Sequence, residues 1–317
     1  MNYIVMDLEW NQSSTGKENA VAELPFEIIE IGAVKLNTDR KMISEFSRLI
    51  KPKVYKTMHQ ITGKLIHLQM QQLESGDPFE VVYSDFKTWY GEEPFFCTWG
   101  PLDLVELQRN IRYYDMPALS TGPFAFLDVQ KLYSIAFDDE KVRRSLEYAI
   151  DKLGIDKDIP FHRAFSDAYY TAKVLELIPQ DVLSRCSYDV FHLPVDKNHE
   201  IHTVFDDYAK YISRGFVDKY HALEDKEVIS TNCYLCNKPN RKKITWFTTN
   251  NKHYLSVSSC PKHGLMKAKI RLRKSESGEI YVVKTEKFIT PKEADAIKYK
   301  KMHLKNAPQI KNNPGVQ

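Results

Sequence analysis

Two hydrophobic patterns follow one another along this chain of 317 residues, and their order restricts the fold more than any other feature. Near the start the pattern is that of strands. YIVMDLEW (3–10), PFEIIEIGAVKLN (25–37) and the stretch from Ile43 to Ile50, closed by Pro52, are rich in β-branched and apolar residues. The links between them are short and carry turn residues such as Asn37, Thr38 and Asp39, which predicts an antiparallel meander. From Phe79 the pattern alternates. Helical spacing runs to Tyr90, PFFCTW (94–99) reads as a buried strand, and Pro101 opens a helix to about Asn110. Residues 126–133 fit a strand or a helix start, 144–153 a helix ended by Gly154, and Phe165 to Ile178 a helix ended by Pro179. Strands alternating with helices predict an α/β class, a mixed α+β sheet over residues 1–180. Residues 181–229 read as a helical bridge. From residue 230 short strands return (244–249, 253–258, 266–273, 280–285), followed by a helix over 291–303 that begins at Thr290-Pro291. This predicts a small β-rich domain over 230–305, and the Pro-, Asn- and Gly-rich residues 306–317 predict a disordered tail.

Charge divides the chain at the same place. Residues 230–317 hold 19 Lys and Arg against 5 Asp and Glu, while residues 1–229 hold 26 against 37. A basic C-terminal module of this kind suits a polyanionic partner, although a solvated charged surface is the plainer alternative. No window approaches the roughly 18 apolar residues of a membrane span. The N-terminus MNYIVMDLEW lacks the basic and long apolar regions of a signal peptide, so a cytoplasmic protein is the expectation.

Asp7 and Glu9 lie two apart on a strand, so both carboxylates leave one face. Such neighbours repel, and a divalent cation removes the penalty; oxygen ligands suit Mg²⁺ or Mn²⁺. Asp103 follows the strand PFFCTW at the start of a helix, where open sheets gather ligands. Asp167 sits in the first turn of another helix, and His162 precedes it by five residues on the adjoining loop. Singly, each has an ordinary reading: a solvated strand acid, a residue favouring a helix dipole, a surface histidine. The combination carries the functional reading.

The segments VMDLEWN, TWGPLDLVEL and HRAFSDAYYTAKVL, in that order, resemble the three motifs of the DEDDh, or DnaQ-like, 3′→5′ exonucleases. EIIEIGAVKL and MHQITG (58–63) agree with that family's usual pattern. The third motif is His-x-x-x-x-Asp; the sister class has Tyr where this chain has Arg163. The resemblance covers about residues 1–180 and implies an RNase H-like fold with a five-stranded mixed sheet. It implies catalysis with two Mg²⁺ or Mn²⁺ ions, Asp7 bridging both, Glu9 and Asp167 on the nucleophile side, Asp103 supporting the second, and His162 as the proton acceptor. It also implies contact of the backbone near Leu8 and Glu9 with a terminal 3′-hydroxyl. Trp10 is placed to stack on a terminal base or, equally, to pack in the core. The Glu-Trp context and WG-x-x-D are similar to the Eri-type exoribonuclease branch, which leans the substrate towards RNA over DNA.

In the C-terminal module Cys233-x-x-Cys236 and Cys260-x-x-His263-Gly264 form two knuckles suited to tetrahedral zinc, in a zinc-ribbon-like arrangement. His253 is a competing ligand with poorer spacing, and three unrelated thiols are the plain alternative. A closed site of this kind is structural. Lys267, Lys269, Arg271 and Arg273 alternate with Met266, Ala268, Ile270 and Leu272, giving a strand with one basic and one apolar face. Trp246 and Tyr254 either stack on bases beside it or pack in the small core. The expected function is a metal-dependent 3′→5′ exonuclease on the 3′ ends of single-stranded nucleic acid, releasing nucleoside 5′-monophosphates. The alternatives are an inactive nucleic-acid-binding or adaptor protein on a nuclease fold, or a proofreading exonuclease of a polymerase assembly. Protein partners are not legible.

Overall fold

The computed structural model describes residues 2–66 and 68–304, and the chain divides into two compact units, Met1–Asp189 and Val190–Gln317. The expected tail over 306–317 lies outside the described residues.

In the first unit the order is β1 (Asn2–Asn11), β2 (Glu27–Leu36), β3 (Met42–Leu49), α1 (Gln60–Ile66), α2 (Met70–Glu74), α3 (Phe79–Tyr90), β4 (Pro94–Thr98), α4 (Leu102–Tyr113), β5 (Phe124–Asp128), α5 (Val129–Phe137), α6 (Leu146–Leu153), α7 (Ala164–Leu177), α8 (Gln180–Leu183) and β6 (Ser187–Asp189). These build one six-stranded mixed sheet in the order β3-β2-β1-β4-β5-β6. The expected meander is present: β1 pairs antiparallel with β2, and β2 with β3. β1, β4 and β5 run parallel, so β1 is the strand at which the direction of neighbours changes. The resemblance implied five strands; the sixth is the three-residue β6, antiparallel to β5.

Alternation along β1 makes two cores. Ile4, Met6 and Leu8 face one side with Phe79, Val82 and Phe86 of α3 and Leu104, Leu107 and Ile111 of α4. Val5 faces the other with Leu132 and Tyr133 of α5, Ile150 of α6 and Tyr170, Val174 and Leu175 of α7. Each fully buried aliphatic side chain contributes about 1.5–3 kcal/mol, so both layers hold β1 at the centre. α6 begins at Ser145, whose hydroxyl accepts from the Tyr148 amide, and ends at Gly154 in the left-handed region (φ 65°), as its sequence predicted.

The second unit has β7 (Ile201–Val204), β8 (Ala209–Ile212), α9 (Lys219–Glu224), α10 (Lys226–Ile229), β9 (Arg241–Thr248), β10 (His253–Cys260), β11 (Gly264–Lys274), β12 (Ile280–Phe288) and α11 (Pro291–His303). The strands form an antiparallel sheet in the order β7-β8-β12-β11-β10-β9. This corrects the helical reading of residues 181–229. Within that segment β6 belongs to the first sheet, β7 pairs with β8, and β8 pairs with β12 of the second. Strands of three and four residues are too short to show a period, and long-range pairing decides them. One face of the second sheet is closed by α9 and α10, with Ala222, Leu223 and Val228 packed on Tyr211, Trp246, Tyr254, Ala268, Ile270 and Val282. α11 starts with a capping box in which Thr290 and Glu293 satisfy each other's backbone amides. Among the described residues no helix is long and apolar enough to cross a membrane.

Candidate active site and metal centres

The acidic site forms at the end of β1. Asp7 pairs with Gly32 and Glu9 with Glu30, so Asp7, Glu9 and Glu30 leave the face on which α7 lies. A register shift follows between Glu9 and Trp10, a bulge of the kind that re-aims side chains beside active sites. Gly32 sets the approach of α7. A Cβ there would fall inside the backbone of Ala164 and Phe165, so only glycine lets the first turn of α7 rest on the sheet. That turn carries Asp167, whose amide donates to the Arg163 carbonyl at 3.0 Å. As a result one carboxylate oxygen each from Asp7, Glu9 and Asp167 lies within 4.8 Å of the others. The importance of Gly32 was not read from the sequence. The signal was a lone glycine inside a β-branched strand, a mark of close backbone approach.

Asp103 stands in the first turn of α4, 6% exposed, beyond the end of β4. Its Oδ1 accepts from the Leu8 amide at 3.3 Å, which fixes it beside β1. This engages the N–H of Leu8, within the backbone near Leu8 and Glu9 for which the resemblance implied contact with a 3′-hydroxyl. Asp103 lies outside the three-carboxylate cluster, yet its charge acts on Asp7, Glu9 and, reciprocally, Asp167. His162 is exposed, on the loop before α7, and its backbone amide donates to Asp167 Oδ1 at 3.4 Å. Its φ of 65° is uncommon for a residue with a Cβ and is maintained by its surroundings. The next residue supplies an anchor: Arg163 donates from Nε and Nη2 to the two oxygens of the buried Glu30 at 2.9 and 2.7 Å. A bidentate pair of this kind fixes the loop that presents His162 and offsets the Glu30 charge beside Glu9. Trp10 is partly buried against the first core, its ring 5.6 Å from that of Phe26, so the structure favours its packing reading.

Burial and mutual repulsion shape the acids. Burial chiefly, then Asp103, Asp167, Glu9 and Glu30, raises the Asp7 carboxyl well above the carboxylate range. Burial first, then Asp167, Glu30 and Asp103, pushes Glu9 up to about 8. Burial likewise raises Asp103 and Asp167, against the hydrogen bonds each accepts. Four carboxyl groups so placed do not ionise together at neutral pH without positive charge among them. Hard oxygen donors with that demand fit divalent cations.

The cysteine–histidine site is in the second unit. Cys233 and Cys236 precede β9, while Cys260 and His263 bracket the tight turn from β10 to β11, where Gly264 has φ 91°. The four ligand atoms lie within 4.8 Å of one another. Cys236 and Cys260 sulfurs are 3.7 Å apart, and His263 Nδ1 is 3.3 Å from Cys233 Sγ and 3.6 Å from Cys260 Sγ. A tetrahedral zinc with its usual bond lengths would set edges of about 3.8 Å between sulfurs and about 3.6 Å between sulfur and nitrogen, so the donor set fits. Burial alone would raise the Cys260 thiol; the Lys262 and His263 amides, Cys236 and the His263 side chain outweigh it and hold it at about 6. The competing histidine, His253, is outside this set. Trp246 and Tyr254, 7% and 5% exposed, are core residues, which settles their stacking alternative.

A family model described as Exonuclease (RNase_T) matches residues 4–175, more than half of the chain. The chain belongs to the exonuclease family. The match spans all five motif residues, in agreement with the DEDDh resemblance. A PolC-type DNA polymerase III of Staphylococcus saprophyticus is 25% identical over 170 residues, 54% of this chain and 11% of that protein. The 3′-5′ exoribonuclease 1 of Mus musculus is 23% identical over 179 residues, 53% of this chain and 51% of that protein. The chain therefore spans about half or less of these relatives' lengths. A crystal structure of E. coli exonuclease I with a dA16 oligonucleotide superposes with a TM-score of 0.50 and 11% identity, covering 95% of this chain and 70% of that one, and supports the fold. The mixed sheet flanked by helices is the RNase H-like arrangement that the motifs implied.

Proposed function

We propose that the chain is a divalent-metal-dependent 3′→5′ exonuclease that hydrolyses single-stranded nucleic acid to nucleoside 5′-monophosphates. The observation that carries this reading is the convergence of Asp7, Glu9 and Asp167 within 4.8 Å, with Asp103 fixed beside them, in an exonuclease-family fold. Asp7, Glu9 and Asp167 would hold two Mg²⁺ or Mn²⁺ ions, with Asp103 supporting the second. Bound there, the ions supply an acidified water and neutralise charge developing on the phosphate. His162 would accept the proton of the attacking water. Arg163 and Glu30 position it by fixing the loop backbone. RNA is favoured over DNA, in keeping with the exoribonuclease name of the mouse relative. In the second unit Cys233, Cys236, Cys260 and His263 hold a structural zinc that ties the segment before β9 to the β10–β11 turn. Asp7→Ala and Asp167→Asn each should abolish Mg²⁺-dependent release of mononucleotides while leaving the circular dichroism spectrum unchanged. Near-wild-type hydrolysis by either variant would overturn the assignment.

A further inference from the structure

Among the described residues, one face of the second unit's sheet is only partly covered. Register fixes which residues share it. Leu255 pairs with Lys269, His253 with Arg271 and Val257 with Lys267, so these side chains rise together, opposite to the core formed with α9 and α10. Along β11, Met266, Ala268 and Ile270 are buried, Lys267 and Lys269 are half-buried, and Arg271 and Arg273 are exposed. Alternate side chains on a strand stand about 6.8 Å apart, so the four cations make a continuous row.

α11 crosses this face at one side. Lys301 donates to the Thr245 carbonyl and hydroxyl of β9 at 3.2 and 2.8 Å and lies over the Phe247 ring. Between α11 and the exposed part of β10 and β11 is an open groove of about 580 Å³. Its cations are Lys267, Lys269 and Lys300, and its floor includes Leu255, Ala296 and Ile297. None of the three lysines is held in an ion pair among the described residues. Among the described lining residues the carboxylate is Glu293, which accepts from the Thr290 amide and hydroxyl at 2.8 and 3.0 Å and is also acted on by the Lys267 charge. Burial chiefly, then Arg271, Lys267 and Lys300, pulls Lys269 below its ordinary value: the row repels itself in the free protein. Holding like charges together over a part-apolar floor is unfavourable unless an anion neutralises them.

We infer that this groove is a second nucleic-acid site, taking the sugar-phosphate backbone of a single strand on Lys267, Lys269 and Lys300 with bases against Leu255, Ala296 and Ile297. Arg271 and Arg273 extend its track. An all-acidic peptide would satisfy the charges but not the apolar floor, and the first unit of the same chain belongs to an exonuclease family, which favours nucleic acid as the occupant. The groove belongs to the second unit, and its assignment does not depend on the hydrolytic assignment of the acidic cluster in the first.

The test is equilibrium binding of a 5′-fluorescein-labelled twelve-residue oligouridylate by fluorescence anisotropy. The full chain with zinc retained is used in an Asp167→Asn background without added Mg²⁺ or Mn²⁺, so that no turnover intervenes. The Lys267→Ala, Lys269→Ala, Lys300→Ala triple variant is compared with a control of equal charge change at exposed positions, Lys87→Ala, Lys152→Ala and Lys238→Ala. Unchanged zinc content and circular dichroism establish that both fold. The triple variant should lose at least tenfold in affinity at low salt, the control less than twofold. The dependence of log K on log salt should flatten by about 2 for three lost phosphate contacts on a single strand. Equal affinities and slopes for triple and control, or displacement of the oligonucleotide by polyglutamate as effectively as by unlabelled oligouridylate, would overturn the inference.

Discussion

Replacing Glu9 by glutamine removes one charge from the acidic cluster and preserves its shape, which makes the electrostatics directly measurable. In the metal-free protein burial, then Asp167, Glu30 and Asp103, moves this carboxyl from 4.5 to about 8. The native state thus binds the Glu9 proton more tightly than the unfolded chain does. The stabilisation is complete below pH 4.5 and is lost as pH rises towards 8. Each pH unit within that window removes about 1.4 kcal/mol, so moving from pH 5.5 to 7.5 removes about 3 kcal/mol from this group. Glu9→Gln lacks the titration, and the stability difference between variant and wild type should shift by about 3 kcal/mol in the variant's favour over the same interval. Urea denaturation followed by tryptophan fluorescence, on protein retaining its own zinc in buffer without added divalent ions, measures both curves. Added Mg²⁺ should stabilise the wild type more than the variant, because a ligand that binds only the native state raises its stability in proportion to its affinity. A difference that stays constant between pH 5.5 and 7.5, or Mg²⁺ stabilisation of both proteins alike, would refute the reasoning.

Gly32→Ala places a methyl group where the backbone of α7 now lies; it should cost about 1–3 kcal/mol by thermal or urea melting and lower the hydrolysis rate by displacing Asp167, and wild-type values of both would contradict the packing account. Protein purified without chelator should carry zinc in a ratio of about one per chain by elemental analysis, and Cys260→Ser should release it; absence of zinc from the wild type would remove the structural role assigned to the four ligands.

The site was more legible in the sequence than the architecture around it. Asp7 and Glu9 announce a shared face because strand periodicity needs no tertiary information. Asp103 and Asp167 were readable as helix-start acids, and the two knuckles as a paired Cys/His donor set, because those signals are local. What the sequence did not disclose depends on distant pairing. β7 and β8 are four residues each and exist because β8 finds a partner in β12, more than sixty positions along. The Arg163–Glu30 pair joins a loop to a strand 133 residues away. Trp246 and Tyr254 look equally suited to stacking or to a core until the sheet assigns them to the face covered by α9 and α10.

The most direct test of the central claim is digestion of one single-stranded RNA, labelled in parallel at its 5′ and 3′ ends, with Mg²⁺ and with Mn²⁺. A 3′→5′ exonuclease gives a progressively shortening ladder from the 5′-labelled strand and immediate release of labelled mononucleotide from the 3′-labelled strand. Both should require the divalent ion and be absent from Asp7→Ala. Internal fragments from either strand, shortening from the 5′ end, or the same products from Asp7→Ala would contradict it.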